Sequence, residues 1–240
     1  MSSTRAAVVL GASGSVGNAL VAELIRDGSF KPIVTLVRRS QPDQVAMARD
    51  AGVELRETVV PAMDATSLAR ATAESLAALA GDVVGLSVLG VGAGTAKLTL
   101  DEHRAIDVEL NAAFARALKA SGRVHHLALM SAVGADPTAK TTGSGAAGMA
   151  RYARVKGEAE DAAKAQGPAV VSIFRPGMII GSQHTPWLLE KVLPVFSFAT
   201  PAKYKSITVE QIAKAMVATS LNTPATSAVY HYPEMVALNR

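Results

Sequence analysis

The chain has 240 residues, enough for one large α/β domain or two small ones. About half the residues are hydrophobic (49%) and only 18% are charged, which excludes global disorder and allows a sizeable core. The absence of cysteine excludes disulfides, thiolate zinc sites and a cysteine nucleophile, and the net charge of +4 comes without the dense Lys/Arg block that nucleic acid binding needs. No apolar stretch reaches the ~18 residues of a membrane span. The N-terminus lacks a secretory pattern, because the apolar run after Arg5 ends already at Gly11. The expectation is a cytoplasmic protein with no membrane or nucleic acid partner, a monomer or homodimer acting on a small molecule.

Apolar runs and helical patterns alternate along the chain. Ala6–Leu10 reads as a buried strand, Ser15–Arg26 as a helix, Ile33–Val37 as a strand after Pro32, and Gln44–Ala51 as a short helix. Val53–Val60 is a strand, Thr66–Ala80 an alanine-rich helix closed by Gly81, and Val83–Leu89 a strand. Asp101–Ser121 is a long helix, His126–Met130 a strand, Met149–Gln166 a helix and Val170–Phe174 a strand. A late helix, Val209–Leu221, and a late strand, Ala228–Tyr232, complete the series. Such alternation implies crossover connections and a parallel sheet with helices on both faces. The reading is a Rossmann-type doubly wound sheet of order 3-2-1-4-5-6. The whole chain, 1–240, would form one domain, with 182–240 supplying most of a small C-terminal extension on the substrate side. Gly134–Gly148 is rich in Gly, Ala, Ser and Thr and reads as a functional loop.

The first strand runs into Gly11-Ala12-Ser13-Gly14-Ser15-Val16-Gly17, which opens a helix. Gly11 suits a tight turn, Gly14 lets backbone approach a diphosphate, and Gly17 lets the helix pack on the strand. The helix start then presents N–H groups to the anion. A glycine triplet also serves ordinary turns; its place at the first βα junction is what points to a dinucleotide. NAD binders place an acid about 20 residues on, for the ribose 2′-hydroxyl. Here the second strand ends in Arg38-Arg39, which cannot accept from that hydroxyl but can clamp a 2′-phosphate, so the expected cofactor is NADP(H). Asp64 fits two roles, accepting from the adenine amino group or capping the helix near Thr66. Gly90, with Gly92 and Gly94, leaves room for a ribose after the fourth strand.

Tyr152 and Lys156 stand four residues apart and share one face of a helix. A phenol of pKa ~10 is a poor proton donor or acceptor near neutrality, and an adjacent ammonium lowers it toward the useful range. Lysine can also hold the nicotinamide ribose hydroxyls. A surface helix supplies this pair by chance; its position after the fifth strand of a dinucleotide-binding chain gives it weight.

These segments carry a resemblance: Gly11–Gly17, Leu36–Arg39, Leu127–Asp136, Tyr152-x-x-x-Lys156-Gly157-Glu158-x-Glu160, and Phe174-Arg175-Pro176-Gly177-Met178-Ile179-Ile180-Gly181. Over roughly residues 5 to 220 the chain resembles the atypical short-chain dehydrogenase/reductases, most of all the Tat-interacting-protein oxidoreductases and related bacterial NAD(P)-binding proteins. The resemblance implies that Tyr152 is the catalytic acid/base, Lys156 its electrostatic partner, and the backbone at Pro176-Gly177 the contact for the nicotinamide carboxamide. It also implies a hydroxyl after the fifth strand for the substrate oxygen, and Ser131 is that candidate. Relatives often carry two hydroxyl residues in tandem, whereas this chain has Ser131-Ala132; Ser144 is a distant stand-in. The superfamily's active-site asparagine has no clear match, since Asn111 lies one turn from the expected place.

The five histidines lack metal-ligand spacing, so no metal site is expected. His184 and Trp187 follow the sixth strand and, with Met149 and Met178, either line a substrate pocket or simply pack. Ser13 lies in Gly-x-Ser-x-x-Gly, which is not the nucleophile elbow of a hydrolase. The function expected is NADPH-dependent carbonyl reduction or alcohol oxidation on a small, apolar substrate. Two alternatives stay open: a regulatory protein that senses NADP(H) without turnover, and a nucleotide-sugar epimerase or dehydratase, whose larger substrate lobe the roughly 60 residues after Gly181 hardly accommodate.

Overall fold

The computed structural model describes residues 5–92, 98–141, 147–181 and 201–239. Strand β1 (Arg5–Leu10) leads to α1 (Ser15–Asp27), β2 (Phe30–Val37), α2 (Pro42–Asp50), β3 (Leu55–Val59), α3 (Ala65–Ala77) and β4 (Asp82–Ser87). One continuous rod follows: α4 (Leu100–Arg104), a π-helical turn (Ala105–Leu110) and α5 (Asn111–Ala120). Then come β5 (Val124–Met130), α6 (Ala147–Gln166), β6 (Val170–Phe174), β7 (Ile179–Ile180), β8 (Ile207–Thr208), α7 (Val209–Leu221), β9 (Ala228–Tyr230) and α8 (Tyr232–Ala237).

Seven strands form one parallel sheet of order β3-β2-β1-β4-β5-β6-β9. The expected six-strand order is present, and β9 adds a seventh strand beside β6. Strand alternation explains the two helical layers. On β1, Ala7 and Val9 face one core, which takes Leu20 and Leu24 of α1 and Ile212 and Met216 of α7. Ala6, Val8 and Leu10 face the other, with Leu68 of α3, Phe114 and Leu118 of α5 and Ala163 of α6. Residues 6 to 10 of β1 are wholly buried, as the continuous apolar run requires of a central strand.

Two departures from the expected elements bear on the site. Strand β4 ends at Ser87, two residues early, after which Val88 N–H donates to the Leu10 carbonyl (3.0 Å) and the chain leaves the sheet beside β1. The helix expected over Asp101–Ser121 carries the π turn in its middle. A π turn takes one extra residue and is frequent at functional sites. The Asn111 amide donates to the Asp107 carbonyl (2.8 Å) and its oxygen accepts from Ser87 Oγ (2.5 Å), tying the turn to the end of β4.

Candidate active site

The glycine loop, Gly90, Ser131 and Pro176-Gly177 follow the carboxyl ends of β1, β4, β5 and β6, where an open parallel sheet reverses its strand order. Arg38-Arg39 and Asp64 follow β2 and β3, and Tyr152 and Lys156 stand on α6. Gly11 adopts φ +87°, and a Cβ there would sit 2.6 Å from the Leu89 amide nitrogen. A Cβ on Gly17 would run into the Gly11 carbonyl. Both positions therefore demand glycine. The loop closes through Gly14 N–H to the Gly11 carbonyl (3.2 Å), and Gly14 is the N-cap of α1. No side chain caps that helix and no acid lies in its first turn, where Ser15, Val16 and Gly17 stand. Such a terminus suits an anion. Gln44, buried on α2, supports the loop by donating to the Ala12 carbonyl (2.8 Å).

A cleft of about 460 Å³ opens beside this loop, bounded by Gly11, Ser13, Arg38, Met63, Leu89 and Gly90. Arg38 lies at its wall and, like Arg39, is exposed. Met63 takes φ +43°, the only left-handed non-glycine residue among those described. Asp64 is exposed and caps α3, accepting from Ser67 N (2.9 Å) and Ser67 Oγ (2.7 Å). Of the two roles open to it, capping is the one the geometry displays. A hollow of similar size between α3 and α5 is lined mainly by alanines. Its arginines are engaged elsewhere, Arg116 with Gln166 and Arg123 with carbonyls of Leu76, Leu79 and Gly81.

Lys156 meets the cleft at Gly90, where a Cβ would lie 2.5 Å from its Nζ. Tyr152 and Lys156 share the same face of α6, with Nζ 5.7 Å from the phenol ring centroid. Lys156 is 4% exposed and forms an ion pair of 2.9 Å with Asp107, which is wholly buried in the π turn. Asp107 also accepts from Val91 N–H (2.9 Å) and lies 3.3 Å from His103 Nε2. The His103 ring stacks on Tyr152 with centroids 6.0 Å apart. Burial alone would raise the Asp107 carboxyl, but the Lys156 charge and the bonds from His103 and Lys156 bring it down to about 2. Burial works to lower the Lys156 ammonium; the charges of Tyr152, Asp107 and Glu160 outweigh it and hold the group above its ordinary value.

Asp107 and His103 escaped the sequence reading. Asp107 stands one turn before Asn111 on the same rod. The available signal was an acid in an apolar run, Ala105-Ile106-Asp107-Val108, four residues after a histidine.

Ser131 directly follows β5, is 4% exposed, and donates its hydroxyl to Glu160 Oε1 (2.6 Å). Arg175 holds the same carboxylate with two bonds, Nε to Oε1 (2.8 Å) and Nη2 to Oε2 (2.6 Å). The single proton of the Ser131 hydroxyl thus goes to Glu160. Pro176 and Gly177 follow β6, with Val133 N–H on the Pro176 carbonyl (2.8 Å) and the Tyr204–Lys205 backbone against Gly177. Met149, on α6, is 82% exposed and Met178 45% exposed. His184, Trp187 and Ser144 lie outside the described residues, as does Gly94. Among the described residues, no group of three metal-ligating side chains occurs, and no helix is long and apolar enough to cross a membrane.

Residues 11–224 match the family described as NAD(P)H-binding. No curated protein matches the chain. Among solved structures it is similar to a short-chain dehydrogenase/reductase from Serratia marcescens (18% identity, TM-score 0.68, covering 95% of this chain and 97% of that one). It is also similar to an alcohol dehydrogenase from the archaeon Thermococcus sibiricus complexed with 5-hydroxy-NADP (19%, 0.62, 96% and 97%). A third likeness is to ChuY, an anaerobillin reductase from Escherichia coli O157:H7 (18%, 0.58, 96% and 98%). The chain therefore belongs to the NAD(P)H-binding family and has the fold of the short-chain dehydrogenase/reductases.

Proposed function

We propose that the chain is an NADPH-dependent oxidoreductase that reduces a carbonyl, or oxidises the matching alcohol, on a small apolar substrate. The observation that carries this reading is the Tyr152–Lys156 pair standing where the glycine-loop cleft ends, at Gly90. The uncapped start of α1 suits a diphosphate and the Arg38–Arg39 pair a 2′-phosphate. On this reading Lys156 would hold ribose hydroxyls and the Pro176–Gly177 backbone would meet the carboxamide. The bound dinucleotide supplies the hydride. Tyr152 gives its phenolic proton to the substrate oxygen as that oxygen takes on charge, and the Lys156 ammonium stabilises the phenolate left behind. Exposed Met149 and Met178 flank this end of the sheet and favour an apolar substrate. The chain is read as one domain.

Ser131 is assigned to the fold and not to the chemistry, because its proton is bound to Glu160. That same observation favours a second reading, a protein that senses NADP(H) without turnover.

Calorimetric titration with NADPH and NADH tests the cofactor. NADPH is expected to bind tightly and NADH weakly, with Arg38→Ala weakening NADPH by about tenfold to a hundredfold. Failure of both cofactors to bind overturns the reading. Tyr152→Phe then separates enzyme from sensor: an enzyme loses about 10²–10⁴-fold in turnover while NADPH affinity holds.

A further inference from the structure

The geometry points to Asp107 as the positioning residue of this site: a buried carboxylate in the π turn that keeps the enclosed Lys156 ammonium charged and fixes it between Gly90 and Tyr152. The significance for catalysis rests on the reading of Lys156 as the partner of Tyr152; the charge relation itself does not.

A lysine with 4% of its surface exposed has almost no water to stabilise its cation. Without a counter-charge such a group loses its proton. Among the described residues, three ionisable groups face Lys156: Asp107 from the π turn, and Tyr152 and Glu160 from its own helix. Of these, only Asp107 is within ion-pair distance, at 2.9 Å. Lys156 and His103 face Asp107, and the Val91 N–H holds its other oxygen, Oδ1. Oδ2, the oxygen on Lys156, is therefore aimed by the loop after β4 and by the π turn together. The π turn is part of the device, since Asn111 occupies the Asp107 carbonyl and anchors the turn to Ser87. Gly90 completes it, because any side chain there would displace the ammonium.

Thermal unfolding of the cofactor-free chain between pH 7 and 9 tests this, comparing wild type, Asp107→Asn, Lys156→Met and the double variant. In wild type Lys156 stays protonated in folded and unfolded chains alike across this range, which ends below ordinary tyrosine ionisation at about 10, so the pair adds no slope. In Asp107→Asn the lysine keeps only the charge of Glu160, which Arg175 already pairs, so burial drops the folded lysine below its unfolded value. The unfolded chain then binds more protons and stability rises with pH. The Tm deficit against wild type is expected to be largest at pH 7 and to shrink toward pH 9. The double variant is expected to recover at least half of the deficit at pH 7, since no lone charge remains buried. The four chains are compared in a His103→Gln background, which removes the imidazole that faces Asp107. A deficit that is constant with pH, or a double variant less stable than either single one, overturns the proposal. If Asp107→Asn fails to fold, Lys156→Met gives the mirror test: its deficit must grow as pH rises from 4 to 6 and the unpaired Asp107 ionises, and a flat deficit overturns the proposal. Neither cofactor nor substrate is present, so a chain that turned nothing over would give the same answer.

Discussion

Asp107 and Glu160 are both buried carboxylates paired with a cation from another element, yet they serve different ends. Glu160 takes two bonds from Arg175 and one from Ser131, so its partners tie α6 to the ends of β5 and β6. Arg175 keeps 23% of its side chain in water. Asp107 meets Lys156, which has 4% exposure and lies against the cleft at Gly90 and the ring of Tyr152. One cluster ends at a partly solvated arginine; the other ends at a buried cation beside open space. A buried acid–base pair thus marks a site only when its cation fronts a cavity.

The largest expected effect breaks the Asp107 side alone. Gly90→Ala places a Cβ 2.5 Å from Lys156 Nζ and 3.4 Å from Asp107 Oδ2, so the ammonium must move. A displacement of about an ångström costs on the order of 10²-fold in turnover. Steady-state kinetics checks this, and unfolding by urea should show a much smaller change. Turnover within a few-fold of wild type would mean that Lys156 is not held by this contact.

Acid stability sharpens the comparison next. Asp107 has a carboxyl depressed from 3.8 to about 2, so its contribution is complete above pH 4 and lost as pH falls toward 2. That depression is worth about 2 kcal/mol. Asp107→Asn should lack this limb of the acid unfolding curve. His126 contributes higher up: burial, with the charge of Arg5, lowers its pKa from 6.5 to about 4. Protonation favours the unfolded chain, so stability rises with pH between about 4 and 6.5, by about 3 kcal/mol in all. His126→Gln should flatten that slope.

Glu160→Gln comes after these. The amide keeps one acceptor but loses the charge facing Arg175, at an expected cost of about 1–2 kcal/mol, because Arg175 is partly solvated and recovers water. Turnover is expected to stay within about threefold. A loss as large as that from Gly90→Ala would show that the two clusters act as one.

The legibility of these features follows the range of the interactions behind them. The sheet order was readable because β1, β2 and β4 are continuous apolar runs and the connections between them hold helices. The Gly11–Gly17 loop was readable because its constraints are local, a turn and a close approach within seven residues. Tyr152 and Lys156 were readable from helical spacing. Asp107 was not, because its partner lies 49 positions on and the π turn that presents it leaves no propensity signature. Strand β9 was seen as a strand but not placed, since nothing in Ala228–Tyr230 specifies an edge beside β6. Ser131 was legible by its position after β5, whereas its bond to Glu160 depends on the packing of α6.

Ser131→Ala carries the smallest expected effect and the sharpest reading. If the hydroxyl serves the fold, its loss leaves Glu160 with the two Arg175 bonds and costs about 1 kcal/mol. Turnover then stays within about threefold, and the pH dependence of the rate is unchanged. If the hydroxyl instead orients the substrate oxygen, turnover falls by about 10²-fold or more while stability barely moves. The two outcomes differ in which measurement responds, so urea unfolding and kinetics on the same preparation decide between them. Glu160→Ala supplies the control: it removes both acceptor oxygens and frees the Ser131 hydroxyl, so a rise in turnover there, absent in the double variant with Ser131→Ala, would show that the clamp holds back a donor within reach of the site.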